Sequence, residues 1–102
     1  VADQPSIRGL INRLKLPQAM ARRIAISDLT RRAEPEAIEA LIAHLERETD
    51  VKALLRIIDH LGQQRHTPAM IALITIRDHP DTPVEIAHAA TIACDRIENG
   101  AT

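Results

Sequence analysis

No phenylalanine, tyrosine or tryptophan occurs in the 102 residues. A core without aromatics must be filled by Ile, Leu, Val, Ala and Met, a set suited to helices packed at close range. Their absence also removes the stacking platforms on which single-stranded nucleic acid is usually held. The single cysteine, Cys94, leaves no internal disulfide to form, so a disulfide-stapled secreted scaffold is excluded. A reducing, cytoplasmic setting is the resulting expectation. Gly9, Gly62 and Gly100 are too scattered to build a phosphate-cradling loop. No apolar run approaches the roughly 20 residues that span a bilayer, so no membrane partner is expected. Val1-Ala2-Asp3-Gln4 has neither a basic region nor an apolar stretch, and no signal peptide is expected there. Strict apolar–polar alternation is missing as well, which argues against a sheet.

What is present is helical punctuation. Pro5, Pro17, Pro35, Pro68 and Pro83 each precede an apolar-periodic stretch, and proline is tolerated in a first helical turn. Thr67-Pro68 and Thr82-Pro83 read as cap plus first residue, and Asp50 as a cap for a helix from Val51. Gly62 and Asn99-Gly100 read as stops. Six helices follow, at about 5–15, 17–33, 35–48, 50–63, 67–79 and 83–98. Their short links make consecutive helices antiparallel neighbours. The length suits one domain.

The odd-numbered helices superimpose without gaps. Ile7, Ile38 and Met70 correspond, as do Leu10, Leu41 and Leu73, and Ile11, Ile42 and Ile74. The next position holds Leu14, Leu45 and then Arg77, and a small residue recurs at Gly9, Ala40 and Ala72. These positions share one helical face. The even-numbered helices agree less well, and loop length drifts, so their register stays open. Pro35 to Leu45 resembles the first helix of a HEAT repeat, including the HEAT-like repeats of the phycobilin lyase group. Asp50-Val51-Lys52 running to Leu61-Gly62 resembles the second. The resemblance implies an all-α, short right-handed α-solenoid of about three helix pairs, at about 5–33, 35–63 and 67–98. Pro17-Gln18 and Cys94-Asp95 depart from the pattern and suit capping repeats. An unrelated six-helix bundle is the alternative architecture.

Catalytic signals are sparse. Of His44, His60, His66, His79 and His88, none precedes Glu, so the His-Glu dyads of HEAT-like di-iron hydroxylases are missing. Glu85 and His88 share a helical face but give two ligands, below the usual three or four. His44, His60 and His79 fall in last turns, where imidazole suits the helix dipole. Cys94 sits in an apolar stripe without a basic neighbour at helical spacing, and Ser6 and Ser27 lack partners. No cofactor, metal site or enzyme activity is expected. The enzymatic alternatives are an accessory or lyase-like subunit acting on a cofactor-bearing protein, and a metal-dependent HEAT-like enzyme.

Charge is unevenly spread around a net −1. Residues 1–33 hold seven Lys/Arg against two Asp, and residues 34–102 hold six against twelve Asp/Glu. The resemblance puts the second helix of each pair on the concave side of the stack. That surface would carry Arg22, Arg23, Lys52 and Arg56, and would bind a partner protein with an acidic patch. A scaffold or adaptor is the function expected, with head-to-tail self-association as the alternative assembly. The overall acidity disfavours nucleic acid.

Overall fold

A computed structural model describes residues 5–100. The reading of residues 1–4 as lacking a signal peptide lies outside them. Among the described residues there is no strand. The chain runs as α1 (Ile7–Arg13), α2 (Ala19–Thr30), α3 (Pro35–His44), α4 (Val51–Gln63), a 3-10 turn (Thr67–Ala69), α5 (Met70–Asp78) and α6 (Val84–Gly100). Among the described residues no helix is long and apolar enough to cross a membrane.

Local chemistry explains most boundaries. Ser6 begins α1, its Oγ accepting from Gly9 N at 3.0 Å. Asp50 begins α4 as expected, its Oδ2 accepting from Ala53 N at 2.9 Å. Thr67-Pro68 winds a 3-10 turn, and the α-helix begins only at Met70. Pro83 O takes the bonds from Ile86 N and Ala87 N, which places the α6 cap at Pro83.

Gly62 is not a stop. It lies buried inside α4, where an added Cβ would sit 2.9 Å from Ala93 Cα on α6. The helix ends beyond it, in a turn whose left-handed residue is Arg65 at φ 49°. Arg65 N donates to Gly62 O and His66 N to Leu61 O, the paired bonds of a Schellman closure. Asn99 and Gly100 form the end of α6, at the last described residue.

Each odd helix packs with the even helix after it, least extensively α3 with α4, and the even helices pack side by side, α2 on α4 and α4 on α6. Leu10, Leu41 and Leu73 are each no more than 1% exposed, so the recurrent leucine is the core position of all three pairs. Leu14 and Leu45 are buried beside them, whereas Arg77 reaches Asp78 at the surface. Ala25, Ala53 and Ala93 are buried along the even helices and permit their close approach.

Candidate functional site

The four basic residues expected at a docking surface divide into two sets. Arg22 turns inward. Its Nη2 lies 3.0 Å from Glu48 Oε2, with the Arg22 side chain 13% exposed and that of Glu48 fully buried. Its Nη1 donates to Leu16 O and Pro17 O, both at 2.8 Å. Arg22 therefore belongs to an internal network with Glu48 and, unlike Lys52 and Arg56, is largely covered. The physical reason is Glu48, a buried carboxylate that needs a cation and several donors.

Glu48 meets that need completely. It accepts from Arg22, from His44 Nε2 at 2.8 Å, and from the backbone N–H groups of Thr49 and Asp50. Burial alone would raise its pKa, but the bonds from Arg22, Asp50 N and His44 outweigh it and lower the value to about 2. His44 does end α3, as its position suggested, and its contact there is this carboxylate.

Arg23 forms a two-point pair with Asp50, Nε to Oδ2 and Nη2 to Oδ1, each 2.7 Å. This pair ties α2 to the cap of α4. The hydrogen bond from Arg23, joined by the Ala53 N–H, holds Asp50 at about 2.

Beside this pair lies a hollow of about 210 Å³ lined by Arg23, Ser27, Lys52, Ala53 and Arg56. The structure thus gathers three of the four expected residues. Lys52 and Arg56 are exposed one turn apart on α4, and neither has an ion-pair partner among the described residues. Arg56 also lines an adjoining hollow of about 340 Å³ with Thr30, Asp59, His60, Gln63 and Gln64. Burial lowers the pKa of His60 there, with Arg56 adding to the effect.

Two residues at this face escaped the sequence reading. Met20 and Ile24 on α2 are 62% and 55% exposed. Their i, i+4 spacing is visible in the sequence, whereas their exposure is not.

Catalytic chemistry has little to stand on. Cys94 is 1% exposed, and burial pushes its thiol pKa up against the opposing pull of Arg77. Ser6 is occupied as a cap. Glu85 and His88 are both exposed on α6. Among the described residues, no three His, Cys, Asp or Glu side chains group as metal ligands. Comparisons with protein-family models, curated proteins and solved structures returned no match for the chain.

Proposed function

We propose that the chain is a protein-docking module, a short right-handed α-solenoid of HEAT-like helix pairs that takes its partner on the α2–α4–α6 face. The observation that carries this reading is the pair of unpartnered cations, Lys52 and Arg56, beside a hollow between two packed second helices. Charged side chains elsewhere at this junction are consumed by internal pairs, as Arg22 and Arg23 are. The side-by-side packing of α2, α4 and α6 supports the solenoid, because stacked repeats place equivalent helices next to one another. The molecule's extents, 42 × 32 × 15 Å, suit a thin stack of pairs with two broad faces.

The reading is tested by site-specific photo-cross-linking in native lysate. A cross-linking residue in place of Gln63, exposed on α4, should capture a protein partner. The same residue in place of Glu39, exposed on α3, should not. Equal capture from both positions, or none from Gln63, removes the proposal.

A further inference from the structure

Met20 and Ile24 lie one turn apart on α2, and Ser27 continues the same face at the i+7 position. Ser27 lines the hollow that holds Lys52 and Arg56, so an exposed apolar strip runs directly into an unneutralised basic one. The Arg23 charge is already met by Asp50. The nearest outward acid on α4, Asp59, faces Arg96 at 3.4 Å. The strip therefore presents two free positive charges flanked by two accessible aliphatic side chains.

We infer that this strip binds an acidic amphipathic segment of a partner protein, with apolar side chains on Met20 and Ile24 and carboxylates on Lys52 and Arg56. The inference rests on the docking function proposed above and names the chemistry of its partner. Charge complementarity selects acidic residues, and the adjoining apolar pair selects a segment with a hydrophobic face. Nucleic acid fits less well. Two free cations are few for a phosphate backbone, and the apolar pair carries no aromatic ring on which a base would stack.

The test uses two double variants of the full chain, Lys52→Glu with Arg56→Glu and Met20→Ser with Ile24→Ser. All four side chains are exposed, so circular dichroism should report unchanged helix content and melting. A labelled synthetic helical peptide with leucines on one face and glutamates beside them should bind the parent chain in an anisotropy titration. Each double variant should weaken that binding by about tenfold or more. Added salt should weaken binding to the parent and to the Met20/Ile24 variant, and affect the Lys52/Arg56 variant least. Cross-linking from Gln63 should fall in both variants. Several results overturn the inference: no binding of the peptide, binding unchanged in both variants, or tighter binding of a single-stranded oligonucleotide. So does light scattering that finds multimers dissolved by the Lys52/Arg56 variant, since the occupant is then a second copy. If Gln63 still captures a protein in both variants, the inference falls and the docking function stands. If Gln63 captures nothing while the peptide binds as stated, the docking function falls alone.

Discussion

Glu48 is the residue on which α2, α3 and the start of α4 are joined. Among the described residues no buried side-chain nitrogen or oxygen lacks a partner, and Glu48 alone absorbs bonds from one guanidinium, one imidazole and two backbone amides. Removing one member of such a buried ion pair strands the other, and losses of about 3–5 kcal/mol are typical. Arg22→Ala should therefore lower the unfolding free energy obtained from urea denaturation by an amount in that range, a large share of the roughly 5–15 kcal/mol that holds a small domain together. Arg22→Met combined with Glu48→Leu should recover much of the loss, because the stranded charge goes with its partner. If the double substitution costs as much as both single ones added together, the pair is not acting as a unit. None of this was legible from spacing. The partners lie 26 residues apart, and an arginine on a polar helical face reads by default as a solvated charge. Arg22→Glu would set a second carboxylate against buried Glu48 and should destabilise the fold. Lys52 and Arg56 are the residues to change in a test of partner binding, because both are exposed on α4.

At the level of elements, caps and close approaches decide stability. Ser6→Ala should cost about 1 kcal/mol, since it removes only the bond to Gly9 N at the start of a seven-residue helix. Asp50→Ala should cost more, since the same carboxylate caps α4 and holds Arg23. Chemical denaturation followed by circular dichroism ranks the two, and an equal loss would mean that the Arg23 pair contributes nothing. Gly62→Ala should destabilise although alanine is favoured over glycine in a helix by about 1 kcal/mol. The new methyl would meet the Ala93 backbone at 2.9 Å, and overpacking of this kind costs about 1–3 kcal/mol. A higher midpoint for this variant would mean that α4 and α6 part easily. The repeated apolar triads were readable because burial forces one face to recur with helical period. Gly62 was misread because its small size serves a neighbouring helix, and sequence carries no direct mark of which helix that is. The end of α4 falls where the sequence put it, at Gln63, but the left-handed position that closes the helix is taken by Arg65, where glycine is usual.

Across the whole molecule, the uneven charge of the sequence becomes adhesion between its parts. Arg22 and Arg23 of the basic first third reach Glu48 and Asp50 of the acidic remainder, and Arg32 reaches Glu34 across the link from α2 to α3. The junction between α4 and α6 is different. It is apolar, with Gly62 set against Ala93, and its one ion pair among the described residues is the exposed Arg96–Asp59 contact at 3.4 Å. The two junctions should therefore respond differently to acid. Glu48 and Asp50 both ionise at about 2 when folded, below their ordinary values of 4.5 and 3.8. A depressed carboxylate pKa contributes stability that is complete above the ordinary value and is lost as pH falls through the folded one. Between those limits the unfolded chain takes up protons that the folded chain does not, so acid loosens the first junction. No such linkage acts on the Gly62–Ala93 contact. Hydrogen exchange read by mass spectrometry, from neutral pH down to about 2, should find protection lost first in α1 and α2 and last in α4 and α6. Glu48→Gln should weaken the first junction at every pH, leaving α1 and α2 less protected already at neutral pH and removing most of the acid dependence of that loss. Loss of protection in α6 before α2 in the parent chain would mean that the ion pairs do not govern how the molecule comes apart.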